Sequence, residues 1–171
     1  MNETLKTILT RRSTLKFLNK PIPAEDLDLI VQAALHAPSG MGKQTWQFTV
    51  VKNRDKIQKL AAVIGEVLGR EGYDMYAPEV LVIPSNEKES RFGREDDACA
   101  MENIFLAAHS LGIGSVWINQ LQNICDDPKI RAELTALGIP ADHVVYGLAA
   151  LGYPDDVKSE KARIGKVVVV E

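Results

Sequence analysis

The 171-residue chain carries 20 Lys and Arg against 23 Asp and Glu, a net charge of −3, with 46% hydrophobic and 25% charged residues. This is the composition of an ordinary globular protein, and a chain of this length buries roughly 70% of its unfolded surface, so it folds without disulfide or metal staples. The small acidic balance speaks against nucleic acid as a partner, no apolar run approaches the length of a membrane span, and residues 1–12 lack the apolar core of a secretion signal. Cys99 and Cys125 stand far apart with no metal-like spacing, which predicts reduced thiols and a cytoplasmic protein.

A single domain over residues 1–171 is expected, without repeat, low-complexity tract or linker. Residues 4–10 predict a short helix with Leu5, Ile8 and Leu9 on one face. Pro21-Ile22-Pro23 is a stiff connector, and Glu25-Asp26 then open a second helix with acids at the positive end of its dipole. Its Leu27, Ile30, Val31, Ala34 and Leu35 recur at helical spacing. Phe48-Thr49-Val50-Val51 predicts a strand, and residues 54–68 a third helix built on Ile57, Leu60, Ala61, Ile64 and Leu68. Residues 80–83 predict a second strand, ended by Pro84. The polar stretch 85–97 reads as a surface loop whose Glu95-Asp96-Asp97 starts the next helix. Over residues 98–111 apolar side chains occupy nearly every side, the pattern of a helix buried all round by its own core or by a second subunit. Gly112 is its expected cap. Ser115-Val116-Trp117-Ile118 predicts a third strand, residues 128–137 a helix stopped by Gly138, residues 144–151 a long apolar strand, and Val167-Val168-Val169-Val170 a terminal strand. Helices and strands do not alternate strictly, and no G-x-G-x-x-G follows a first strand, which disfavours a Rossmann dinucleotide fold.

Ala37-Pro38-Ser39-Gly40-Met41-Gly42-Lys43-Gln44-Thr45-Trp46 is the segment that points most directly to chemistry. A Pro-, Ser- and Gly-rich loop lets backbone approach a flat ligand, and Gln44 offers donor and acceptor to the edge of a heterocycle. Arg11-Arg12-Ser13 has two readings. One is a solvated helix end. The other is a phosphate clamp of two guanidinium forks and a hydroxyl, each charge-assisted contact contributing about 1.5–3 kcal/mol. Lys161, Arg163 and Lys166 are by themselves a solvated charge run, or else the far side of the same phosphate site. Asn119-Gln120 form an ordinary strand-to-loop transition, or present a backbone N–H to a ligand. His36, His109 and His143 are scattered and read as structural, and Trp46 and Trp117 as core anchors. With no Ser nucleophile elbow, Walker loop or paired carboxylates, the chain fits chemistry carried by a bound cofactor.

In order and spacing these pieces resemble the short form of the flavin-dependent nitroreductase family over nearly the whole chain. The resemblance rests on Arg11-Arg12-Ser13 with Lys16-Phe17, the connector and helix from Pro21 to Leu35, Ala37-Pro38-Ser39, and Gln44-Thr45-Trp46. It continues through Asn103 to Trp117 and the turn Leu151-Gly152-Tyr153-Pro154 with its basic tail. It implies an α+β fold, a three-layer sandwich whose central, mostly antiparallel sheet is flanked by helices, and a homodimer with FMN at the interface. It implies that Arg11, Ser13, Lys161 and Arg163, with Arg12 adjacent, hold the FMN phosphate and ribityl chain. Pro38, Ser39 and Gly40 would lie along the flavin with Gln44 near it, and Ile118 and Asn119 would bring a backbone N–H toward flavin N5. Met41 and Gly42 would face substrate. Leu15 and Gly42 depart from the family pattern, which favours a cation at the first and Asn at the second. The implied activity is ping-pong hydride transfer from NADH or NADPH, through the flavin, to a nitroaromatic, quinone or similar small oxidant. A flavin store or redox sensor is the alternative, and a cofactor-free interaction module a third reading.

Overall fold

In a computed structural model the chain is described over residues 1–155 and 162–171. The helices are α1 (Glu3–Thr10), α2 (Ala24–Leu35), α3 (Arg54–Leu68), α4 (Gly93–Ser110) and α5 (Pro128–Ala136). The strands are β1 (Trp46–Val51), β2 (Val80–Glu87), β3 (Gly114–Ile118), β4 (His143–Val144) and β5 (Leu148–Gly152). Local chemistry sets several boundaries. Asn2, Asn53 and Asp127 cap α1, α3 and α5 by accepting backbone N–H bonds from Leu5, Lys56 and Lys129. α3 ends at Gly69, whose φ of +63° closes the last turn.

The sheet runs β1-β2-β5-β3, antiparallel throughout, with β4 pairing the far end of β2. Side chains alternate across it. Leu81, Ile83, Leu148 and Ala150 join Ile57, Leu60 and Ile64 of α3 and Ile130 and Leu134 of α5 on one face. Val80, Val82, Ala149 and Leu151 join Ile30 and Ala34 of α2 and Met101, Ile104 and Phe105 of α4 on the other. The result is a three-layer α+β sandwich with a core on each side of the sheet. No helix among the described residues is long and apolar enough to cross a membrane.

Four expectations change. β2 does not stop at Pro84 but continues to Glu87, with Pro84 opposite Phe48 of β1. On its other side β2 pairs β5 only through Val80–Val82 and β4 only at Asn86 and Glu87. Pro84 falls between those two stretches, where no ladder asks for its missing N–H. Residues 85–97 are not a surface loop: Ser85 and Asn86 are fully buried and α4 begins at Gly93. The strand expected over 144–151 is broken into β4 and β5 around Gly147, where the Trp117 indole comes so close that a Cβ would lie 2.4 Å from its Nε1. Val167–Val170 form no strand; they are 77–89% exposed, with no ladder partner among the described residues. Of the apolar side chains of α4, Met101, Ile104, Phe105 and Ala108 are buried, between α2 on one side and β2, β3 and β5 on the other, whereas Ala98, Leu106 and Ala107 are half-buried.

Candidate functional site

α1 stops where Arg11 turns to an extended backbone, its own N–H still bonded to the Thr7 carbonyl at 3.0 Å. The chain then runs alongside β3. Ser13 bridges Ser115 in parallel, and the Thr14 N–H reaches the Ser115 carbonyl at 2.9 Å. Gly114 permits this approach, since a Cβ there would fall 2.4 Å from Thr14 Oγ1. The Arg11 guanidinium lies against α4, 5.9 Å from the Phe105 ring centroid, with Nε 3.5 Å from Glu102 Oε1. That Nε is buried and makes no hydrogen bond. From the other end of the sequence, Arg163 Nη2 donates to the Arg11 carbonyl at 3.5 Å. Arg11, Ser13 and Arg163 therefore share one place, with Arg12 half-buried beside them; Lys161 lies outside the described residues. Leu15 is exposed on the same segment.

An aromatic floor leads away from these cations. The Phe105 and Trp117 rings stand 6.0 Å apart, tilted by 55°. Trp117 is not the core anchor expected: it is 38% exposed, and its Nε1 donates to Asn119 Oδ1 at 3.3 Å. Ile118 points into the opposite core, so only its backbone is available to a ligand, whereas Asn119 is exposed. The strip thus has guanidinium and hydroxyl donors at one end, aromatic rings along it and an amide at the other end. With a buried Arg11 Nε still lacking an acceptor, it fits a planar cofactor carrying a phosphate.

The Pro38-to-Trp46 loop takes up a second position. Gly40–Gly42 form one tight turn, closed by bonds from Gly42 N–H to Ser39 O at 3.0 Å and from Lys43 N–H to Gly40 O at 3.3 Å. Met41, Gly42 and Gln44 adopt φ of +57°, +65° and +51°. All three are exposed, Met41 most of all at 82%. The loop is fastened at Gly40, whose N–H donates to Asp96 Oδ1 at 2.7 Å; a Cβ on Gly40 would overlap the Phe92 ring at 2.3 Å. α4 acts as a ruler between the two positions. From Asp96, which holds the loop, to Glu102, which meets Arg11, is six residues, about 9 Å at 1.5 Å per residue.

Under the loop lies a buried polar network that the sequence reading missed. Thr45 Oγ1 donates to Asn86 Oδ1 at 2.6 Å, and Asn86 Nδ2 donates to Asp97 Oδ1 at 2.9 Å. Asp96 and Asp97 begin a helix as expected, yet both are buried rather than solvated. A readable signal existed: stepping back by threes and fours from Phe105 through Met101 puts Asp97 on the apolar face of α4. Asp97 Oδ2 is buried without a partner, a situation costing about 1–3 kcal/mol for a neutral group and more for a charged one. Burial is the main reason that its carboxyl is pushed up to about 7; the neighbouring Asp96 charge adds to the rise, and the Asn86 bond opposes it. Asp97 borders a cavity of about 220 Å³ that also touches Met101, Trp117, Asn119 and Tyr146.

The histidines have structural partners. His36 Nδ1 meets the Gln32 carbonyl at 2.7 Å, His109 Nε2 the Thr10 hydroxyl at 2.8 Å, and His143 Nδ1 the Ser85 hydroxyl at 3.0 Å.

Residues 8–153 match the nitroreductase family. A protein of Archaeoglobus fulgidus assigned as an NADH dehydrogenase or NAD(P)H nitroreductase is 37% identical over 92% of this chain and 89% of its own length. An NADPH-flavin oxidoreductase of Vibrio harveyi is 32% identical over 99% of this chain and 73% of its own. Among solved structures, a nitroreductase with bound FMN from Bacteroides fragilis superposes over the full length of both chains with a TM-score of 0.91 and 43% identity. The chain belongs to the nitroreductase family.

Proposed function

We propose that this chain is an FMN-dependent oxidoreductase that passes hydride from NADH or NADPH to a small oxidant such as a quinone or nitroaromatic. The observation that carries the reading is the strip from Arg11, Ser13 and Arg163 across Phe105 and Trp117 to Asn119. Its relatives, named as a nitroreductase and an NADPH-flavin oxidoreductase, support it. Bound FMN supplies two-electron chemistry, and the protein supplies binding, orientation and electrostatics. Arg11, Arg12, Ser13 and Arg163, with Lys161, hold the phosphate end. The β3 terminus at Ile118 and Asn119 receives the ring. Pro38, Ser39 and Gly40 lie along it with Gln44 near its edge, and Met41 and Gly42 face the substrate side. The free thiols of Cys99 and Cys125 suit the reducing cytoplasm.

The working unit in this reading is a homodimer with the cofactor at its interface. Leu5, Ile8 and Leu9 of α1 are exposed together, as are Ile164 and the four terminal valines. Each group is a run of large apolar side chains of the kind that interfaces cover.

Purification tests the proposal directly. The expected product is yellow, with one FMN per chain, bleached by NADH or NADPH under nitrogen and recoloured by a quinone. A colourless protein that takes up no FMN overturns it. A yellow protein that neither nicotinamide bleaches favours the flavin store or sensor.

A further inference from the structure

His109 is bonded to the segment that leads into the phosphate cluster. It is half-buried in the last turn of α4, with Nε2 2.8 Å from Thr10 Oγ1. The Thr10 hydroxyl has one proton, which goes to the Lys6 carbonyl at 2.8 Å, a group that only accepts. Its oxygen therefore accepts from His109, whose Nε2 carries the donated proton. Within its own chain α1 buries no residue. Among the described residues, the bond to His109 is the one side-chain hydrogen bond from α1 to another element. Thr10 directly precedes Arg11, which lies against Glu102 and Phe105 of the same helix. Glu102, Phe105 and His109 stand at i, i+3 and i+7, so one face of α4 receives Thr10 and Arg11 together. Beyond Arg11 the chain is pinned again, to β3, where Ser13 bridges Ser115 and the Thr14 N–H reaches the Ser115 carbonyl at 2.9 Å.

We propose that His109 is a positioning residue for the FMN phosphate: by donating its Nε2–H to Thr10 it fixes the end of α1, and with it the Arg11 guanidinium. The inference rests on the flavin reading above and on its assignment of Arg11 to the phosphate. The imidazole acts through Thr10 and is not itself a phosphate ligand. Arg11 stands between two pins, His109 on α4 before it and Ser115 on β3 after it. With both in place the guanidinium is ordered before the ligand arrives, and binding is spared that cost. Without the His109 pin, the stretch from Thr10 to Arg11 is held only from the β3 side, and the phosphate must order it. That cost falls on the phosphate-bearing ligand alone, because the ring is received at the end of β3, which His109 does not touch.

Riboflavin separates this role from a general structural one, since it has the ring and ribityl chain of FMN but no phosphate. Fluorescence titration of the apoprotein gives the dissociation constant of each. His109→Ala should raise the FMN constant about fivefold, the size of one neutral hydrogen bond. The riboflavin constant should change by less than about twofold, as for a substitution that touches nothing the ligand needs. His109→Gln, whose amide nitrogen donates from nearly the position of Nε2, should restore FMN binding to within about twofold of the unaltered protein. Thr10→Val removes the acceptor instead and should match His109→Ala, and the two together should cost no more than either alone, because they break one bond. Three results overturn the role of His109 and leave the flavin reading standing: FMN constants unchanged in both single variants, a loss shared equally by riboflavin, or His109→Gln as weak as His109→Ala. An unaltered protein that binds riboflavin as tightly as FMN removes the phosphate cluster, and one that binds neither overturns the flavin reading; either takes this inference with it.

Discussion

Arg11 has a carboxylate as well as a cation for company. Its Nε lies 3.5 Å from Glu102, while Arg163 reaches its carbonyl from the tail. An arriving phosphate gains a charge-assisted bond worth about 1.5–3 kcal/mol from Arg11. Arg11→Ala should therefore raise the FMN dissociation constant about 10- to 100-fold, tenfold corresponding to 1.4 kcal/mol. Fluorescence titration of the apoprotein with FMN measures it, and an unchanged constant would remove Arg11 from the phosphate site. Leu15 bears on the flavin's electronics. It is 40% exposed next to Thr14, which is bonded to β3, and so has room for a longer side chain. A cation there favours the reduced, more negative cofactor. Leu15→Arg should raise the two-electron midpoint potential by about 15–30 mV, where 30 mV corresponds to 1.4 kcal/mol. A spectroelectrochemical titration with no positive shift would sink that role for Leu15.

The elements most legible from sequence are those whose stability is local. The span of α3 is read to the residue from Ile57, Leu60, Ala61, Ile64 and Leu68, and Asn53 and Gly69 close its two ends. Pro38, Ser39 and Gly40 read correctly as a tight loop, but the partner that fastens it, Asp96, is 56 residues away and could not be read. The end of β2 and the first turns of α4 were misread because polarity was taken for exposure. Asp97 steps by fours to Met101 and Phe105 and so lies on the buried face of α4, but the bond that one of its oxygens accepts from Asn86 leaves no periodic trace. Its energetic trace is a pH dependence. The Asp97 carboxyl goes from an ordinary value of 3.8 when unfolded to about 7 when folded. The folded state thus binds the proton more tightly, and the stability that this contributes is full below pH 3.8 and lost as pH rises through 7. Unfolding free energy should fall from pH 4 to pH 7 by at most ~4 kcal/mol, at 1.36 kcal/mol per tenfold change in proton affinity. Asp126, whose carboxyl is lowered by its bonds to Lys88 and Arg131, acts in the opposite sense, below its ordinary value and outside this window. Urea unfolding across that range checks the slope, which Asp97→Asn should flatten.

At the scale of the molecule, the chain exposes 10070 Å², whereas a compact monomer of 18.8 kDa exposes about 8,300 Å². The excess of roughly 1,800 Å² is larger than the ~800 Å² that each partner buries in a standard interface, and falls in the range of obligate dimers. Much of it belongs to apolar groups. Ile164 is 96% exposed and Val167–Val170 are little less so. Four consecutive β-branched residues favour a strand, and so the sequence predicted one. Whether a strand forms depends on a neighbouring edge, and the pattern along one chain does not say which chain supplies it. The second copy proposed above would reconcile the sequence preference with a tail that has no ladder partner among the described residues. Deleting residues 164–171 leaves Arg163 and the rest of the phosphate cluster in place, so it separates association from cofactor chemistry. Light scattering should give twice 18.8 kDa for the full chain and 18.8 kDa for the shortened one. If the cofactor sits at the interface, the shortened chain should also lose FMN, in proportion to its monomer fraction as the protein is diluted. A monomeric shortened chain that keeps its FMN would leave the dimer standing and move the cofactor wholly within one subunit. A shortened chain that is still dimeric would assign the interface to the exposed face of α1 instead of the tail.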